Sequence, residues 1–242
     1  MVILVVGTMI ASGQTLTFDV TSIKRNTGVD RRTGFRTERG SFQAINVPAI
    51  LLIQFAYGIV NEAAGRIIGA PSWTSSDRFD IAAKFSSDDQ NQVPQMTQAL
   101  LADRFKLVAH HETRPMPVYH LVFAKRGVLG RGLALSPVDC SAERARCGTT
   151  MDNGFLSGRA AMMGQVSNSL SFIVGRTVID RTDVDRRFDF TIRFSNTRQD
   201  SDNDSSPTIF TVLQEDLGLK LVPATEPLDL LVIERIDKPS ED

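Results

Sequence analysis

Two stretches decide how this chain reads: SDRFDIAAKF, residues 76–85, and DRRFDFTIRF, residues 185–194. In the first, Phe79, Ile81, Ala83 and Phe85 alternate with Arg78, Asp80, Ala82 and Lys84. In the second, Phe188, Phe190, Ile192 and Phe194 alternate with Arg187, Asp189, Thr191 and Arg193. Strict alternation predicts a half-buried strand, with one set facing a core and the other facing solvent. The polar sets also keep their order: Arg, Asp, and a final basic residue.

The correspondence extends outward from these strands. Downstream, ALLAD–RFKLV (99–108) parallels VLQED–GLKLV (212–222), and PVYHLVFAK (117–125) parallels PLDLLVIER (227–235). Upstream, NVPAILLIQFAYG (46–58) parallels QVSNSLSFIVG (165–175). Matches in one order with short gaps point to an internal duplication.

Each copy predicts the same elements. A strand (42–45; 160–163) enters a helix (48–57; 167–174). A short strand (66–68; 177–179) precedes the alternating one, and a second helix and a hairpin follow. In copy one Pro94 opens the second helix, with Met96, Leu100 and Leu101 on its apolar side. In copy two Ser206 is the expected cap, Gly218 the expected stop, and Ile209, Phe210, Leu213 and Leu217 one face. The hairpins are expected to turn near Pro115-Met116-Pro117 and Pro223–Pro227. TLTFDVTSIK (15–24) predicts an extra N-terminal strand, and 25–40 a polar loop. The fold class expected is α+β: two pseudo-repeated lobes, each with two helices packed on small mixed β-sheets. The domains read as a leader at 1–13, a first lobe at 14–125, a cysteine-bearing connector at 126–157 and a second lobe at 158–242.

Composition limits the function. The 242 residues carry a net charge of −1, without the basic excess a nucleic-acid binder uses against phosphates. Val2 to Ile10 is apolar but too short to span a bilayer, and Ala11-Ser12-Gly13 offers a peptidase small residues. No Lys or Arg precedes the run, so the true start is open, and a buried strand is the alternative. Export would make Cys140 and Cys147 a disulfide, closing a short loop worth roughly 2–3 kcal/mol. In a reduced cytosol they would be free thiols. Two further ligands at zinc spacing are lacking.

The order FDVTSIK, NVPAILLIQFAYG, IIGAPSW, DRFDIAAKF, ALLADRFKLVAHHETRPMPVYHLVFAK, TVIDRTDVDRRFDFTIRF, TIFTVLQEDLGLKL, LVIERIDKPS resembles a bacterial family of exported proteins known as a domain of unknown function. The family is common as paralogues in soil bacteria, and its domain also occurs fused to membrane metallopeptidases of the beta-lactam-sensor type. The resemblance implies export and an interaction or sensing role outside the cytoplasm. No HExxH peptidase motif is present. The second half also resembles the short N-terminal domain of secretins and TonB-dependent receptors, which implies periplasmic protein–protein signalling.

Candidate site residues follow. On a strand, His110, Glu112 and Arg114 share one face, and these three match the family pattern. His111 and His120 do not match it; a turn at Pro115-Met116 would set them opposite each other. Tyr119 and the single tryptophan, Trp73 in GAPSW, complete the binding set. The alternatives are a solvated strand face, and a buried Trp closing the lobe. Asp200, Asp202 and Asp204 have calcium-loop spacing, but Ser205 and Thr211 stand where the turn glycine and bidentate Glu belong. Lys24, Arg25, Arg31, Arg32, Arg36 and Arg39 make a basic loop suited to a partner or an anionic polymer. Ser157 in GFLSG lacks nucleophile-elbow spacing, and no phosphate loop is present. The reading is a non-enzymatic extracytoplasmic binding module with no cofactor and no metal. Its partner is a protein or a cell-envelope component, with no nucleic acid, no transmembrane segment in the mature chain, and strand addition as the expected mode. The alternative is an envelope hydrolase using the His110/Glu112 face or a metal.

Overall fold

The computed structural model describes residues 16–28, 32–59, 65–87, 89–141, 146–152, 154–195 and 207–240. The expected leader, Asp30 and Arg31, the acidic run 200–204 and Ser206 lie outside the described residues. The architecture is mixed α+β, with several helices and three four-stranded sheets. The described residues group into two compact units. One holds those up to Ile59, Gly69–His110 and Ile233 onward; the other holds those of 60–68 and His111–Val232.

The first unit contains β1 (Val20–Arg25), β2 (Gly34–Glu38), β3 (Ser41–Pro48), α1 (Ala49–Tyr57), α2 (Trp73–Ser76), β5 (Arg78–Lys84) and α3 (Val93–Arg104). Its sheet runs β1-β5-β3-β2 with antiparallel pairing throughout. The alternating set of β5 is inside as predicted: Phe79, Ile81 and Ala83 are buried, as is Phe85 just beyond. Each such Phe or Ile contributes about 2 kcal/mol by leaving water. Helix α1 buries Ile50, Leu52 and Ile53 and stops at Gly58, whose left-handed φ of 63° lets its N–H bond Gln54 and Phe55 carbonyls. Met96, Leu100 and Leu101 of α3 are buried as expected. The C-terminal residues complete this unit: Asp237 N–H donates to the Phe105 carbonyl at 2.7 Å, and Lys238 pairs with Asp77 at 2.7 Å.

The polar residues of β5 do more than face water. Beside Ala44/Val47 the β3–β5 register shifts, and Asn46 sits there at φ 52°. Its N–H donates to Asp80 Oδ1 at 2.7 Å and its carbonyl accepts from Arg78 at 2.9 Å. One alternating strand thus holds, through its own Arg and Asp, the left-handed residue that lets β3 enter α1.

The second unit contains a sheet of β7 (Ala134–Leu135), β8 (Gly148–Asp152), β9 (Phe155–Met162) and β11 (Arg187–Arg193), ordered β7-β11-β9-β8. Helix α4 (Met163–Val174) follows β9 and stops at Gly175, φ 65°. Phe188, Phe190 and Ile192 are buried with Leu156, Val166, Leu170 and Leu213. Ala160, at φ 46°, donates its N–H to Asp189 Oδ1 at 2.6 Å and accepts from Arg187 at 3.2 Å. Helix α5 (Ile209–Glu215) is capped by Thr208, two residues past the expected Ser206, and Phe210 is 44% exposed instead of sharing the core face.

The two sheets match pair for pair. Ser41↔Lys84, Phe42↔Ala83, Gln43↔Ala82, Ala44↔Ile81, Val47↔Phe79 and Pro48↔Arg78 in the first correspond to Phe155↔Arg193, Leu156↔Ile192, Ser157↔Thr191, Gly158↔Phe190, Ala161↔Phe188 and Met162↔Arg187 in the other. The pairs β2–β3 and β8–β9 keep one register too. The residues expected as a polar loop and as a connector therefore supply β2, β7 and β8.

The expected hairpins are not formed. Val108–Phe123 is one strand, β6, and Leu219–Arg235 is one strand, β12. They are neighbours in a sheet ordered β10-β6-β12-β4, where β10 is Val178–Asp180 and β4 is Ile67–Ile68. The prolines fit because of parity. Tyr119 N–H donates outward to the Thr177 carbonyl beside β10, and counting back in twos puts Pro117 and Pro115 on that same edge. Leu231 N–H donates to Arg66 beside β4, and the same count gives Pro227 and Pro223. Each missing N–H thus faces away from the β6–β12 ladder.

Candidate functional site

Strand β6 carries most of the candidate residues. His110 Nδ1 lies 2.8 Å from Glu234 Oε1, both about half exposed. Arg114 donates to both Glu112 oxygens, at 2.7 and 2.5 Å, and this pairing raises its pKa further. His111 and His120 do not oppose each other, because they lie on one strand; His111 meets Asp229 at 2.8 Å and His120 meets Glu226 at 2.9 Å. Arg181 also reaches Glu226 at 3.0 Å, and its hydrogen bond, then that of His120, holds this carboxyl below the usual carboxylate range. The face is a series of side-chain pairs, not a convergent site. Such exposed pairs are worth about 0–1 kcal/mol each. Among the described residues, no group of three His, Cys, Asp or Glu side chains is placed to hold a metal.

Trp73 is half-buried at the start of α2. Its ring meets the edge of Phe79 at 6.4 Å, and Lys238 Nζ lies 5.7 Å above it. Asp77, whose side chain is 11% exposed, binds Lys238 and Arg25. The Lys238 hydrogen bond pulls its pKa down against the opposing effect of burial, and Arg25 assists. Tyr119 lies between Arg176, 4.8 Å from the ring centroid, and the edge of Phe210 at 5.7 Å. Each aromatic already carries a cation on one face. Cys140 and Cys147 are joined in a disulfide.

Two depressions in the second unit include none of these aromatic or β6 residues. One, about 640 Å³, lies among Met162, Gln165, Asn168, Asp180, Asp183 and Asp185. There Asp180 Oδ1 is already occupied by the Thr182 N–H and hydroxyl, at 2.9 and 2.7 Å. The other, about 410 Å³, lies on the outer face of the β8–β9–β11 sheet and is lined by Arg146, Thr150, Ser157, Arg159 and Thr191 beside Cys147. Sequence reasoning weighed Ser157 only as a nucleophile and missed its neighbours. The signal was the alternation Phe155, Ser157, Arg159 against buried Leu156, Gly158, Ala160.

The chain belongs to the family described as protein of unknown function (DUF3738), which matches residues 50–236. No curated protein and no solved structure gives a match. No helix of the described residues is long and apolar enough to cross a membrane.

Proposed function

We propose that this chain is a non-enzymatic binding module acting outside the cytoplasm, and that it takes up an extended segment of a partner protein by strand addition at β2 or β8. The observation that carries this reading is a contrast between edges. β2 and β8 each end a sheet, with no neighbour on the far side among the described residues. The outer edges of the β6–β12 ribbon instead present prolines, which cannot donate to an added strand. The expected contact therefore moves from the ribbon to the two edges. A hydrolase reading loses support because His110 and Glu112 each already bind a neighbour.

The same reading takes the two sheet-and-helix assemblies as copies of one ancestral unit. The shared register and the repeated Arg–Asp hold on a left-handed residue support it. The bonded cysteine pair suits an oxidising compartment, in keeping with the leader read from residues 1–13. The family resemblance to exported and sensor-fused proteins, and that of the second half to the secretin short domain, point to signalling in the cell envelope.

The test is capture of envelope proteins on the purified full chain, compared with Thr37→Pro in β2 and Met151→Pro in β8. Loss of the captured protein with one proline variant that keeps its far-ultraviolet circular dichroism is expected. Capture that survives both prolines sinks the strand-addition reading; turnover of a small substrate by the wild type sinks the non-enzymatic one.

A further inference from the structure

The β8–β9–β11 face carries unspent chemistry. Thr150, Ser157 and Thr191 lie directly opposite one another across three strands, which puts their side chains on one face. Opposed residues stand about 5 Å apart, so the hydroxyl row spans roughly 10 Å. None of the three hydroxyls has a hydrogen-bond partner among the described residues. Arg159 follows Ser157 on the same face of β9, and its opposite residue is Gly148, which has no side chain to cover it. Arg146, beside the disulfide-bonded Cys147, lines the same depression. Neither arginine has a carboxylate partner among the described residues. Asp152, opposite Phe155, is farther along this face, does not line the depression, and has an interaction of its own.

The first sheet serves as an internal control. The residues corresponding to Thr150, Ser157, Thr191 and Arg159 are Arg36, Gln43, Ala82 and Ile45. There Arg36 is neutralised by Glu38 at 2.7 Å, and Ile45 replaces the second arginine. One backbone thus accepts either set, so the fold does not require the hydroxyl row or Arg159.

We propose that this depression binds an anionic sugar unit, a hydroxylated ring bearing a carboxylate or phosphate. Arginine forks recognise such oxyanions in two-point fashion, and serine and threonine hydroxyls both donate to and accept from ring hydroxyls. A volume of about 410 Å³ suits a ligand larger than a bare oxyanion. The disulfide tethers the segment that brings Arg146 to the rim. This site is separate from strand addition, which uses backbone groups at the sheet edge.

The test is two-dimensional NMR of the labelled full chain, titrated with glucuronate, glucose 6-phosphate, inorganic phosphate and glucose at millimolar concentration. Saturable shifts of the amides of 148–150 and 157–159 are expected with at least one charged sugar, and the two sugars distinguish carboxylate from phosphate. Arg159→Ala should weaken binding about tenfold or more, with Arg159→Lys intermediate, because a charge-assisted pair is lost in the first and its fork in the second. Thr37→Pro, which disables the β2 edge, should leave the titration unchanged. The proposal is overturned if no charged sugar gives saturable shifts at these amides, if glucose binds as well as the charged sugars, or if folded Arg159→Ala binds like the wild type. Phosphate binding as tightly as the charged sugars removes the sugar from the assignment and overturns it too.

Discussion

The β3–β5 pair of the first unit and the β9–β11 pair of the second share every register position and differ in what fills it. Ala44 faces Ile81 in one; Gly158 faces Phe190 in the other. A larger residue on one strand is matched by a smaller one opposite, so the spacing is kept while the volumes trade places. The left-handed position before the helix is Asn46 in one and Ala160 in the other. Asn tolerates that conformation through its short polar side chain, whereas Ala bears its full steric cost. The Arg and Asp that hold this residue are common to both, although the residues around them differ.

The largest effect expected from this comparison is at the shared aspartate. Asp189→Ala removes the charged acceptor of the buried Ala160 N–H and should cost about 3 kcal/mol in denaturant unfolding. Asp80 also accepts from the Asn26 side-chain amide at 2.9 and 3.0 Å, so the like comparison is Asp80→Ala made in Asn26→Ala. There it should cost somewhat less, about 2 kcal/mol, because Asn46 is at ease in its conformation. A reversed order in that background would break the comparison. Next comes Gly158→Ala, whose added methyl would sit 2.2 Å from the Phe190 ring. It should cost about 2 kcal/mol, and Gly158→Ala with Phe190→Ile, which installs the pairing of the first unit, should recover most of it. Additive losses in the double-mutant cycle would mean that the volumes are not exchanged as a pair.

The smallest effect concerns Asp77, whose place in the second unit is taken by Arg186. The Asp77 pKa is depressed in the folded state, so its contribution is present above the ordinary carboxylate value and is lost as pH falls through the lowered one. Lys238→Ala should raise the Asp77 pKa toward its ordinary value, followed by carboxyl chemical shift, and should bring the onset of acid unfolding to higher pH. An unmoved Asp77 titration would assign the depression to Arg25 and the Ser76 hydroxyl instead.

Much of this fold is written in local pattern. Strands β5 and β11 and helices α1 and α3 follow from alternation and apolar spacing; the disulfide follows from the nearby cysteine pair only if an oxidising compartment is assumed. The ribbon does not, because Pro115-Met116-Pro117 and Pro223–Pro227 carry the composition of turns. Two prolines of equal parity are tolerated in a long strand whose outer edge lacks a full partner, and only the pairing reveals which edge that is. Strands β2 and β8 are short and largely polar, and β7 is only two residues long, so none of them offers a period to detect. Thr150 and Ser157 fall in the stretch expected as a connector, while Arg159 and Thr191 lie on expected lobe segments whose outward residues read as solvated; only the pairing of the three strands brings them together. The role of Asp80 and Asp189 was equally illegible, since an outward carboxylate looks like solvation until a left-handed neighbour is seen to need it.

The segment 233–240 has a bearing on timing. Because Asp237 and Lys238 close the first unit on Phe105 and Asp77, residues synthesised early wait for partners that lie beyond the whole of the second unit in the chain. Contacts of such long reach make the closing of that unit a late step in folding.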